Sequence, residues 1–165
     1  KTLFMCCEFG QFAEWKYDAS LDWHLLAYPI HLGVQRLVAD LNKLYVADAE
    51  LASNELRSES FAWLVADDGA QSVLAFERRG GEQAWTVAGN FTPVERTYRL
   101  GVPFPGRWEE ALNTDSKHYA GHGLGNLGGV VAEAIPCQGR PYSIEVRLPG
   151  LSMVIFRRST AKAKR

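Results

Sequence analysis

The chain has 165 residues, 47% of them hydrophobic and 22% charged, with a formal net charge of −1. This is the composition of a folded globular protein, long enough for one ordinary domain or for a small domain plus a fragment of another. A charge so close to neutral, with a pI of about 6.5, leaves no electrostatic footprint for nucleic acid or an anionic membrane. No run of about eighteen apolar residues is present to cross a bilayer. The apolar run at the start is too short for a signal peptide, and no small-residue cleavage site follows it. Three cysteines, two of them adjacent, make a poor disulfide framework and fit a reducing compartment, so the cytoplasm is the expected location.

In chain order, the apolar run Leu3-Phe4-Met5-Cys6-Cys7 predicts a strand buried on both faces, as in a parallel sheet. It breaks into a loop from Glu8 to Trp23 that mixes the carboxylates Glu8, Glu14, Asp18 and Asp22 with Phe9, Phe12, Trp15, Tyr17 and Trp23. From His31 to about Asp48 the apolar residues Val34, Leu37, Val38, Leu41, Leu44 and Tyr45 form a helical stripe, with Gln35, Arg36, Asp40 and Lys43 on the other face. Strand, long loop and helix make one β/α unit, in which function belongs at the C-terminal end of the strand. A site is therefore expected between Glu8 and Trp23. A short helical turn is expected over Ala49–Asn54.

After Arg57 the pattern changes to short strand-like runs separated by turn signals. Strands are expected at Phe61–Val65, Ser72–Arg78, Ala84–Phe91, Thr97–Val102, Arg107–Leu112, Val130–Ile135, Tyr142–Leu148 and Met153–Arg157, with turns at Asp67-Asp68-Gly69 and Gly80-Gly81. So many strands with no helix between them predict an antiparallel sandwich or barrel, with a domain boundary between Ala52 and Ser60. The Gly-rich stretch from Asn113 to Gly129 lacks the Lys-Ser/Thr ending and following helix of a phosphate loop and reads as a sandwich connection. The basic end of the chain, 159–165, reads as a solvated tail.

Several motifs carry a resemblance. Phe4-Met5, Glu8-Phe9-Gly10-Gln11, Glu14-Trp15 and above all Ser20-Leu21-Asp22-Trp23-His24-Leu25-Leu26 are similar to the eighth strand and following loop of bacterial glucan branching enzymes, members of the α-amylase superfamily. Gly33-Val34-Gln35-Arg36-Leu37-Val38, Asp40-Leu41-Asn42, Asn90-Phe91-Thr92-Pro93-Val94, Leu112-Asn113-Thr114-Asp115, Gly125-Asn126, Gly139-Arg140-Pro141-Tyr142-Ser143 and Leu148-Pro149 continue it in the family's order. Two positions depart. Cys6-Cys7 stands where the family has Gly then Gln or Asn, and Cys137-Gln138 where it commonly has an aromatic and a His. A Gly at the first position would serve close backbone approach or an unusual φ, neither of which Cys supplies freely.

The resemblance implies a mainly β chain: a C-terminal antiparallel β-sandwich (55–158) preceded by the last β/α unit of a (β/α)8 barrel (1–54). It implies a retaining transglycosylation that makes α-1,6 branches in α-1,4-glucan, with no cofactor and no metal. It also places the nucleophilic Asp, the acid/base Glu and the second Asp after strands four, five and seven, so no catalytic residue is expected in this chain and the chain alone is expected to be inactive. The expected partners are α-glucan and the remainder of the barrel. The lack of an initiator Met and a start inside an expected strand fit a piece of a longer protein. A non-catalytic carbohydrate-binding or structural β-sandwich module is the alternative.

Within the loop, the aromatic rings can lie on the C–H faces of glucose with little side-chain entropy to lose, while neighbouring carboxylates accept hydroxyl hydrogen bonds. Glu8, Trp15, Asp22 and Trp23 are the candidate substrate-binding residues, with Tyr17 behind them. Packing of the same rings against the barrel rim is the competing role, and Asp22 could cap a turn. His24, His31, His118 and His122 lack the spacing and partners of a metal site. Cys6-Cys7 lacks redox spacing and reads as inert packing.

Overall fold

Among the described residues, eight strands arranged in two sheets build the part of the chain that follows Ser60. The computed structural model describes residues 3–48, 53–54, 56–80 and 83–159. The strands are β1 Phe61–Asp68, β2 Val73–Gly80, β3 Gln83–Asn90, β4 Arg96–Val102, β5 Arg107–Asn113, β6 Gly129–Val131, β7 Tyr142–Leu148 and β8 Ser152–Arg158. One sheet runs β1-β2-β3-β8-β5-β6 and the other pairs β4 with β7. Every pairing is antiparallel. Period-two alternation produces this arrangement, because each strand can offer one face to a shared core. Val73 and Ala75 of β2, Trp108 of β5 and Val154 and Phe156 of β8 meet Leu100 and Val102 of β4 and Ile144, Val146 and Leu148 of β7. The expected strand at Val130–Ile135 shrinks to Gly129–Val131. Beyond it the chain makes only the isolated bridges Glu133↔Ser143 and Cys137↔Arg140.

The helix α1 spans Pro29–Ala47. Pro29 suits a first helical position because its fixed φ is already helical and its missing N–H is not needed there. Leu37 and Leu44 of the apolar stripe pack on Trp85, Val87, Leu112 and Ile155, on the outer face of the six-stranded sheet. A register shift between Glu110 and Leu112 inserts one residue in β5 and so turns Leu112 outward, opposite Ile155, to meet the helix. The Trp85 indole N–H donates to Asp48 Oδ2 at 2.9 Å, and the Tyr119 hydroxyl donates to Asp40 Oδ2 at 3.0 Å. Gly33 allows a close approach of α1 to the sandwich: a Cβ there would lie 2.3 Å from the carbonyl oxygen of Tyr119.

The expected strand at Leu3–Cys7 is not formed. Residues 5–10 are a turn in which the Cys7 amide bonds Phe4 O at 3.0 Å and the Phe9 and Gly10 amides bond Cys6 O at 3.1 Å. A strand needs hydrogen bonds from a neighbour, and among the described residues no strand pairs with this segment. Met5 and Cys6 turn the chain at φ 32° and 63°, the left-handed region that glycine occupies freely. Cys6 is buried with Phe9 and Leu25, Cys7 is exposed, and Leu3 and Phe4 remain 57% and 48% exposed. The expected turn over 49–54 and the basic tail fall mostly outside the described residues. Among those described, no helix is long and apolar enough to cross a membrane.

Candidate functional site

The loop that follows the first turn is shaped by its own polar groups. Gln11 closes it: its Oε1 accepts the Asp22 amide at 2.9 Å and its Nε2 donates to Ala13 O at 2.8 Å. A 3-10 turn over Trp23–Ala27 then drops Leu25 into the small core with Cys6 and Phe9. The buried His31, in the first turn of α1, donates from Nδ1 to Phe9 O at 2.9 Å. Because a carbonyl only accepts, this bond sets the Nδ1–H tautomer. Phe12 lies edge-on to the same imidazole at 5.0 Å.

On this frame the four candidates take different positions. Glu8 is half-buried in a cleft of about 530 Å³ between the turn and α1, with Met5, Leu21, Val38 and Asn42 among its walls. Asp22 and Trp23 follow Leu21 in the chain but do not line the cleft. Asp22 holds the capping position of the 3-10 turn, but its side chain makes no cap bond. Trp23 rests on Phe9, ring centroids 5.3 Å apart, and is 53% exposed. Trp15, at φ 53°, is tilted against Phe4 at 5.0 Å and is 66% exposed. Tyr17 is exposed. Each indole is therefore packed on one neighbour and open elsewhere, which a sugar platform requires and a buried wedge does not.

A second aromatic surface escaped the sequence reading. At the free edge of the six-stranded sheet, Phe61 stacks on Phe76 at 5.4 Å, and Trp63 stands edge-on to Phe61 at 5.3 Å and to Phe76 at 6.0 Å. Trp63 is 54% exposed. The signal was the Phe-Ala-Trp spacing, which puts both rings on one face of β1. Without the pairing of Trp63 with Phe76 it read only as a strand.

Donors of the Gly-rich loop are taken up by two carboxylates of this chain, Asp115 and Glu110. Asp115 accepts the amides of His122 and Leu124 at 3.1 and 3.0 Å and the His122 Nδ1–H at 3.0 Å. Glu110 accepts the Asn126 amide at 2.6 Å and its side-chain Nδ2 at 2.8 Å. Backbone donors used in this way are not offered to an anion.

Residues 63–159 match the family described as the alpha amylase C-terminal all-beta domain. The chain belongs to this family. Beyond the matched domain, the chain is 49% identical over 160 residues to a Pseudomonas putida protein named 1,4-alpha-glucan branching enzyme GlgB, covering 95% of this chain and 22% of that protein. Proteins of the same name from Roseobacter denitrificans and Aquifex aeolicus are 52% identical over 159 residues and 48% identical over 160, covering 94% and 95% of this chain and 22% and 25% of theirs. The chain thus spans about a quarter or less of the length of these relatives.

Proposed function

We propose that this chain is the C-terminal part of a 1,4-α-glucan branching enzyme acting in the cytoplasm, which forms α-1,6 branches in α-1,4-glucan by retaining transglycosylation. Residues 1–54 then end the catalytic barrel, 55–158 are the alpha amylase C-terminal domain, and 159–165 are a basic tail. The observation that carries the reading is identity near one half across 95% of the chain to relatives bearing that name. Retaining chemistry needs a nucleophile and an acid/base on either side of the scissile bond. In this reading both lie on the portion that the relatives have beyond this chain. The isolated chain is then expected neither to branch nor to hydrolyse amylose, and no cofactor is required.

The chain's contribution is one wall of the substrate mouth. Trp23 and Trp15 offer ring faces to glucose, and Glu8 and Asp22 accept hydroxyl hydrogen bonds that fix its orientation. The exposed aromatic group around Trp63 fits the same ligand chemistry at a distance from the loop along the sequence. The test is a chimera in which residues 3–158 replace the matching region of the Pseudomonas putida relative. It should convert amylose to a product whose side chains a debranching enzyme releases. A folded chimera that binds amylose without branching it would instead favour a carbohydrate-binding module. In the active chimera, Trp23→Ala should weaken glucan use by about 1–3 kcal/mol, by analogy with buried aromatic anchors. The melting temperature should change little. A large fall in melting temperature with unchanged kinetics would mean that Trp23 only packs.

A further inference from the structure

We propose that His31 is the positioning residue through which the β-sandwich sets the loop carrying Trp23. The inference rests on the glucan reading only for what that loop is positioned to meet. His31 is 8% exposed, and its Nδ1–H bond to Phe9 O, at 2.9 Å, spans 22 residues. Phe9 is fully buried, and it is the ring on which Trp23 rests. Two residues beyond His31, Gly33 meets the Tyr119 carbonyl so closely that a Cβ would have no room. Two helical turns further on, Asp40 accepts the Tyr119 hydroxyl at 3.0 Å. One sandwich residue thus holds α1 at two levels. The first turn of the helix, fixed in this way, holds Phe9 by a polar bond from a buried ring. A contiguous path of packed groups runs from Tyr119 through Gly33, His31 and Phe9 to Trp23.

Removing the His31 donor leaves the Phe9 carbonyl without its bond and releases the loop from the helix. Ordering that loop would then have to occur on ligand binding, at the expense of affinity. The donor, rather than the ring, is what matters. His31→Phe keeps an aromatic ring and loses the donor, whereas His31→Asn loses the ring and keeps an N–H at nearly the same place.

The experiment follows the indole signals of the 165-residue chain by NMR during titration with maltoheptaose. The buried Trp108 indole reports on the sandwich. In His31→Phe the ring-to-ring contact signal between Trp23 and Phe9 should fade, and the dissociation constant read at Trp23 should rise about 3- to 10-fold. In His31→Asn it should stay within about twofold of the parent. Gly33→Ala should move the Trp23 signal in the same direction as His31→Phe, with Trp108 unchanged. An unmoved Trp23 in both His31→Phe and Gly33→Ala would overturn the proposal, and so would a His31→Asn no better than His31→Phe. Loss of the Trp108 signal in all three variants would overturn it too, since the loop would then be inseparable from the core. If Trp23 in the parent does not respond to maltoheptaose, the glucan reading of the loop fails, while the contact signals across the variants still decide the positioning role.

Discussion

Glu77 has no exposed surface, yet it lies in line with Val73 and Ala75 on the core side of β2. Its carboxylate is held by Arg79 Nε and, at 2.9 Å, by Arg140 Nε. Arg140 arrives from 63 residues away, in the reverse turn before β7. The bridge therefore ties that connection to the opposite sheet. Glu77→Ala would strand two guanidinium groups and is expected to cost about 3–5 kcal/mol in denaturant unfolding. The double change Glu77→Met with Arg140→Met should cost less than the single one, because it removes the buried charge together with Arg140, the more buried of its two partners. None of this was legible in the sequence, because alternation assigns Glu77 to the core side but nothing local names a partner 63 residues on. Two tyrosines make a prediction at alkaline pH. Burial, reinforced by hydrogen bonds to Asp68 and Asp40, pushes Tyr98 and Tyr119 up to about 12. Both pKa values are raised above the unfolded value near 10, so their contribution to stability is complete below about pH 10 and is lost as the pH climbs towards about 12. Tyrosinate absorbance should show two late-titrating groups, and Tyr119→Phe should remove one of them.

At the scale of elements, the strand pattern of the sequence matches β4, β5, β7 and β8 to within one residue at each end, while β1 runs three residues past its expected end and β6 stops four residues short. The pattern fails at Leu3–Cys7, where a continuous apolar run reads as a strand but finds no strand to pair with among the described residues. It also missed the bulge that turns Leu112 towards α1, because one inserted residue leaves no trace in composition. The helical stripe was legible, but its seat on the outer face of the sandwich was not, since Leu37 and Leu44 would suit any apolar surface. That seat is held by carboxylates. Hydrogen bonds from Lys43 and Tyr119 keep Asp40 below the usual carboxylate range. Burial alone would raise Asp115, but the His122 and Leu124 amides and the His122 ring outweigh it and hold Asp115 low. A depressed folded value means stability that is present above about pH 4 and lost as the pH falls through that lower value. Acid should therefore loosen the 113–129 loop, with the protection of the His122 and Leu124 amides against hydrogen exchange falling before that of the β3 and β8 amides. Asp115→Asn should show the same loss of protection at neutral pH.

On the scale of the whole molecule, the two sheets close a core around Trp108, Phe156 and Leu100 to which no described residue before Leu64 belongs. The six-stranded sheet has a second apolar side, however, and α1 covers its centre through Trp85, Val87, Leu112 and Ile155. Ile30, Leu41 and Val46 of the covering helix are themselves exposed, as are Leu3 and Phe4. A sheet face and a helix face with these needs divide the energetics: the inner core decides whether the sandwich forms, and the outer one decides how stable and soluble it is. A variant trimmed to residues 57–159 should keep the inner core, so the near-ultraviolet circular dichroism of Trp108 should persist. It would expose four large apolar side chains worth about 1.5–3 kcal/mol each when fully buried, an upper bound because α1 buries them only in part and a collapsed unfolded state covers some of that area. Its melting temperature should fall and its sedimentation should become concentration-dependent as the bare face self-associates. Replacing Val87 and Ile155 with Thr in the trimmed chain should restore a monomer without restoring the melting temperature. A trimmed chain without the Trp108 signal would show instead that α1 is part of the folding core, and the division of the molecule near residue 55 would then be wrong.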